Sequence, residues 1–156
     1  MTIDWNKTAS VSQVVQTGIV IISIIIILYQ LRQQTKLARS SNIQTLFDLA
    51  SPLSIQVMQD RNLAKLIYEG YKDYDTFDEA DKFRYRSTLI WRLTFQENIY
   101  YQKQNGLLEN NVYQAWDKDF KVWAERRHLE LRWHELKQYY HQDFCGYVDK
   151  IIERLN

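Results

Sequence analysis

The stretch TGIVIISIIIILYQLRQQTKLAR, residues 17–39, decides how this chain is built. Seven isoleucines fall in the nine residues from Ile19 to Ile27, and Arg32, Lys36 and Arg39 follow. Between Lys7 and Arg32 the only ionisable side chain is Tyr29. Val11 to Leu31 is 21 residues, roughly 31 Å as a helix, which matches the hydrocarbon core of a bilayer. The isoleucines with Val20 and Leu28 favour insertion by roughly 4 kcal/mol, and Gln13, Gln16 and Ser23 offset part of it. A core helix would need partner surface on every side, which about 120 remaining residues supply poorly. A secretory signal would have a shorter apolar run and a small-residue cleavage site, whereas YQLRQQ follows here. The stretch predicts an uncleaved transmembrane helix over residues 11–31.

Its flanks give an orientation. Arg32, Lys36 and Arg39 precede the first acid on that side, Asp48, while the other side offers Lys7 and the amino terminus beside Asp4. Positive charge stays in the cytoplasm, so residues 1–10 are expected outside and residues 32–156 inside. Trp5 and Tyr29 fall where interfacial aromatics belong, and the basic cluster suits anionic head groups at about 1 kcal/mol per residue. Gln16, Ser23 and Gln30 recur every seven residues and share one face of the span. Polar side chains in lipid seek a neighbour's hydrogen bonds, so this face is a candidate for self-association, set against simple toleration near the helix ends.

Beyond the span the chain is polar and short of turns. The whole sequence has four glycines and one proline, which argues for long helices, and alternating β-branched runs are missing. Eleven tyrosines and five tryptophans give a small domain large pieces to bury. The single cysteine, Cys145, has no partner for an internal disulfide and fits a reducing compartment. From Arg32 onward 19 basic residues face 18 acidic ones, with Lys7 and Asp4 set aside. Nucleic-acid binders usually show a basic stripe, so no nucleic acid is expected as partner.

The expected architecture is all-α, with five or six helices after the anchor. The helical pattern continues from Leu31 to Ala50, and Ser51-Pro52 reads as an N-cap and first position starting a new helix. Leu53 to Glu69 follows and Gly70 closes it. YKDYDTFDEADKF, residues 71–83, is the longest expected loop, with a capping-box pattern at Thr76 to Glu79. The longest periodic segment then carries Phe83, Leu89, Ile90, Leu93, Tyr100 and Tyr101, and Asn105-Gly106 ends it. Val112 to Glu125 places Trp116, Phe120 and Trp123 on one face, which reads as core, although a partner groove would look the same. Leu129 to Tyr140, and Phe144 to Leu155 after a possible Asp143 cap, complete the chain.

The segments IILYQLRQQTKLARSS, at 26–41, and FQENIYYQKQNGLLENNVYQAW, at 95–116, together with the later tryptophans, carry a resemblance. The chain resembles a widespread family of small bacterial single-pass membrane proteins with an all-helical cytoplasmic domain. The resemblance implies that fold and an inner-membrane location, and it assigns no reaction. Roles in phage defence are suspected for some such small helical membrane proteins.

Few residues stand out for chemistry. Glu97 lies on the apolar stripe, four after Leu93, where a carboxylate must be paired or protonated. It is expected to be a staple, bonded to a tyrosine hydroxyl or to an arginine such as Arg127, rather than a reactive group. Arg127-x6-His134 has the Arg/His spacing of the HEPN-type ribonucleases, which are also all-α. That resemblance implies transition-state stabilisation by Arg127 and proton transfer by His134. Ten arginines and three histidines make such a spacing close to an even bet by chance. Glu125-x-x-His128 has half of a di-iron motif with no second half, and His134 and His141 share a face only in an unbroken helix. No Gly-rich phosphate loop, nucleophile elbow or cysteine cluster is present. No metal or other cofactor is expected. The working reading is a membrane-anchored helical interaction or assembly module that binds the bilayer, a protein partner and, through the span, a second copy of itself. The alternatives are a defence effector acting as an RNase or as an oligomer that perturbs the membrane.

Overall fold

The computed structural model describes residues 5–155, with side chains at Gln13 and from Val15 onward. Asp4 and the side chains of Trp5, Lys7, Val11 and Ser12, on which part of the orientation and span reading rests, lie outside the described residues. Among the described residues the chain is all-α: α1 (Trp5–Gln59), α2 (Arg61–Asp73), α3 (Glu79–Gln104), α4 (Asn110–Arg126), α5 (Glu130–Leu136) and α6 (Gln142–Ile152). Tight 3-10 turns occupy Tyr74–Thr76 and Lys137–Tyr139. The chain divides into two units, Met1–Ser40 and Ser41–Asn156.

The described residues of the first unit, 5–40, are helix alone. From Val15 to Leu31 every large apolar side chain is half or more exposed. Short polar side chains turn inward: Thr17 Oγ donates to Gln13 O at 2.9 Å and Ser23 Oγ to Ile19 O at 2.8 Å. Such back-bonding lets a hydroxyl sit in an apolar helix without an orphan donor.

The second unit is built around α3. Tyr85, Leu89, Leu93, Gln96 and Ile99 are its buried face, at spacings of four, four, three and three. Against it pack Leu66 of α2, Phe120 and Ala124 of α4, and Phe144 and Val148 of α6. A second cluster joins Leu46 of α1 to Phe95, Ile99 and Leu108. Trp116 meets Phe95 edge-on at 5.2 Å, Trp123 stacks on Phe120 at 5.6 Å, and Phe120 is wholly buried. The stripe on α4 is core, as its spacing predicts. Phe83 is not, being 72 % exposed, and Tyr85 takes the place expected of it.

Several expected boundaries move, each for a physical reason. No new helix starts at Ser51-Pro52, because α1 runs through Pro52 to Gln59. Proline removes one ladder bond and crowds the preceding turn. Here Ser51 Oγ donates to Phe47 O at 2.6 Å, Leu46 before the proline is buried in the second cluster, and Leu53 after it is half-buried. Tertiary packing on both sides outweighs the local break. The true start is Asp60, whose carboxylate accepts from the Asn62 and Leu63 amides at 2.8 and 3.1 Å.

Gly70 does not end a helix either. It is buried mid-helix because the Tyr85 ring lies on it, and a Cβ there would fall 2.3 Å from Tyr85 Cδ2. The acidic-aromatic loop shrinks to Phe77 and Asp78, since α2 reaches Asp73 and the 3-10 turn follows. Asp78, not Thr76, caps α3 by accepting from the Asp81 amide at 2.8 Å. Thr76 Oγ instead closes the 3-10 turn on Asp73 O.

Asn105-Gly106 ends α3 as expected. Gly106 has φ +68°, with Leu107 N–H donating to Gln102 O and Gly106 N–H to Lys103 O, the paired bonds of a Schellman motif. The end of α4 repeats that geometry with His128 at φ 48°, Leu129 N–H reaching Ala124 O and His128 N–H reaching Glu125 O. A histidine in this region is strained. Its ring stacks on Tyr71 at 4.6 Å and Nδ1 lies 3.0 Å from Glu130 Oε1, which holds it there. At α6 the cap position is His141, not Asp143, and its own side chain makes no capping bond.

Candidate functional site

On the first unit Gln16, Ser23 and Gln30 are all exposed. Ser23 has spent its donor within the helix, which leaves the amides of Gln16 and Gln30 as the polar groups of that face. Arg32, Lys36 and Arg39 are exposed and make no ion pair with described residues. Gln33 Nε2 donates to Tyr29 Oη at 3.0 Å just before them.

In the second unit the three residues marked by sequence stand apart. Glu97 Oε1 accepts the His141 amide at 3.1 Å, so its partner is a backbone N–H rather than a tyrosine or Arg127. Arg127 donates from Nη1 to Tyr68 O at 2.9 Å and lies 5.2 Å from the Tyr68 ring centroid. His134 is exposed on α5, and no hydrogen bond among the described residues joins it to Arg127.

Two buried polar constructions escaped the sequence reading. Gln96 is fully buried, and its Nε2 donates to Tyr147 Oη at 3.1 Å. Tyr147 Oη donates to Asp117 Oδ1 at 2.6 Å, which also receives Tyr113 Oη at 3.3 Å, while Lys121 Nζ holds Oδ2 at 2.5 Å. Burial first, then the Asp117 carboxylate, pushes Tyr113 up to about 12 and Tyr147 higher. Both phenols therefore remain donors near neutral pH, and the network ties α3, α4 and α6 together. Gln96 is seven residues after Leu89 and three after Leu93, so its place on the buried face was readable. Its partner on α6 was not.

The second construction is Arg92, whose side chain is 11 % exposed and pairs with Asp119. Its guanidinium lies 5.8, 5.9 and 5.8 Å from the ring centroids of Phe95, Phe120 and Trp123. Arg92 also lines a cavity of about 330 Å³. The other walls are Leu53, Ser54 and Val57 of α1, Ile67 of α2, Tyr85, Thr88, Leu89 and Trp91 of α3, and Trp123 with Arg127 at the end of α4. A groove of about 600 Å³ shares Leu53, Thr88 and Trp91 with it and runs on to Phe83. Arginine is the only charged residue type on the cavity wall. Concave, mostly apolar space with a few fixed polar groups is the usual form of a small-molecule site.

Among the described residues no group of three or more His, Cys, Asp or Glu stands close enough to hold a metal ion. Models of known protein families, curated proteins and solved structures were all compared with this chain, and none matches.

Proposed function

We propose that this chain is a single-pass inner-membrane protein of a bacterium, of the small helical family it resembles. The segment before the span lies outside, and the domain after it lies in the cytoplasm. There it works as a membrane-tethered binding and assembly module. The observation carrying the reading is the helix from Val15 to Leu31, whose apolar side chains are exposed on every face. At about 25 cal/mol per Å² of apolar surface, that wall is strongly unfavourable in water and favourable in lipid. Arg32, Lys36 and Arg39 at its end favour the cytoplasmic side. Gln16 and Gln30 supply a polar face through which two spans associate.

Two fusions and one extraction test this. The protein should stay with the membrane in alkaline carbonate. A C-terminal green fluorescent protein should fluoresce, and a C-terminal alkaline phosphatase should be inactive. Release by carbonate, or an active phosphatase, would overturn the placement. Gln16→Leu combined with Gln30→Leu should lower a span-association reporter several-fold, and an unchanged signal would remove the assembly part. Cellular RNA degraded on overproduction, and spared by His134→Ala, would replace the module with the effector reading.

A further inference from the structure

We propose that the cavity between α1, α2, α3 and α4 binds a small amphipathic carboxylate, an aryl acid or a medium-chain alkyl acid. Its head group sits on Arg127 and Tyr85, and its apolar body lies against Leu53, Leu89 and Trp123.

The charge pattern comes first. Two guanidinium groups line the cavity and no carboxylate does. Arg92 is already neutralised by Asp119, which stands off the cavity wall. Arg127 makes no ion pair with a described residue, and its one hydrogen bond goes to a neutral carbonyl, Tyr68 O. A guanidinium has five N–H donors in a planar fork that matches a carboxylate. Most of that fork is unspent.

Tyr85 is the second observation. It is 1 % exposed and lines the same cavity. A phenol on the wall beside a guanidinium adds an O–H donor for a ligand oxygen. Burial pushes Tyr85 up to about 12, against the nearby charges of Arg127 and Arg132. It is therefore a neutral donor across the physiological range, suited to an anion. Thr88 and Ser54 direct their hydroxyls to carbonyls of their own helices, so they add no competing donor.

Size and shape limit the ligand. The volume of about 330 Å³ falls near the small end of the range of roughly 300–1,000 Å³ found for ligand sites. One acidic head and a ring or short chain fill it, and a longer chain would run along Trp91 into the groove toward Phe83. With one unneutralised cation on the wall, a singly charged head fits better than a phosphate dianion.

The test uses the full chain in lipid nanodiscs, with empty nanodiscs subtracted. Tryptophan fluorescence is titrated with 4-phenylbutyrate, with its neutral amide and with phenyl phosphate, since Trp91 and Trp123 line the cavity. The acid should bind saturably and at least tenfold tighter than the amide. Arg127→Gln should erase that preference, and Tyr85→Phe should weaken the acid about threefold. Ser54→Trp, at an exposed position on the rim, should block both compounds while leaving the helical signal intact, which keeps a readable variant if Arg127→Gln unfolds. Equal affinity for acid and amide, no saturable binding, or indifference to Ser54→Trp would overturn the proposal. Tighter phenyl phosphate would overturn the choice of carboxylate. A nanodisc holds the helix in either orientation, so this inference and the topology can fail separately.

Discussion

The amide N–H of His141 donates to Glu97 Oε1 at 3.1 Å, so a carboxylate on α3 takes the N–H of the cap residue of α6. In a capping box the glutamate that reaches back to the cap amide comes from the same helix. Here a residue 44 positions earlier in the chain does it, and this explains both a carboxylate on an apolar stripe and a helix start with no capping side chain of its own. Glu97→Ala should lower stability by about 1 kcal/mol, and Glu97→Gln, which keeps an acceptor, by less. Thermal melts of the two variants check it. Equal losses would mean that the acceptor oxygen is not what matters.

Gly70 and Tyr85 form a second tie between helices. Gly70→Ala puts a methyl where the ring now lies and should cost about 1–3 kcal/mol, as overpacking does. The same alanine in a Tyr85→Leu background should cost clearly less, because the two residues are in contact and their effects couple. Chemical unfolding of the four proteins gives the coupling directly, and strict additivity would contradict the contact.

The Tyr147 hydroxyl connects Gln96 with Asp117. Tyr147→Phe keeps the ring in the core and strands the buried Gln96 amide, so a loss of about 1–3 kcal/mol is expected. Gln96→Leu combined with Tyr147→Phe should recover part of it, since removing both partners is milder than orphaning one. A double variant less stable than Tyr147→Phe alone would argue against the network.

Asp149 gives a pH dependence. Burial acts to raise its carboxyl, but the Lys137 and Trp133 hydrogen bonds and the Lys137 charge outweigh burial and hold it below the ordinary 3.8. A depressed folded value adds stability above the unfolded value, and that stability is lost as pH falls through the folded one. Asp149→Asn should therefore be less stable than the parent at pH 7 and converge on it below about pH 3.8. Melting temperatures from pH 7 to pH 2 read this, and a difference that persists at the acid end would contradict it.

Much of the architecture was legible because it is written locally. The long apolar helix announces itself in Ile19 to Ile27, the end of α3 in Asn105-Gly106, and the buried face of α4 in Trp116, Phe120 and Trp123. What was not legible depends on partners distant in sequence. Pro52 reads as a break until Leu46 is seen buried before it and Leu53 half-buried after it. Gly70 reads as a helix end until the Tyr85 ring is found on it. Arg127 stood out for its spacing to His134, yet the structure sets it beside Tyr68 and on the wall of a cavity that no spacing discloses. Arg92 and Tyr85 gave no sequence signal at all beyond an arginine and a tyrosine in a helix.

Pro52 has one more consequence. Having no N–H, it leaves the Asp48 carbonyl without its helical donor, so α1 lacks one rung just before the residues that form one side of the cavity, Leu53, Ser54 and Val57. That side is the compliant one, while α3 opposite it keeps an unbroken ladder. Breathing of the cavity is thus concentrated in a single turn of helix, and amide hydrogen exchange should be fastest there when the cavity is empty and slow when it is filled. A proline that looks like an error in a helix becomes the place where the domain can yield.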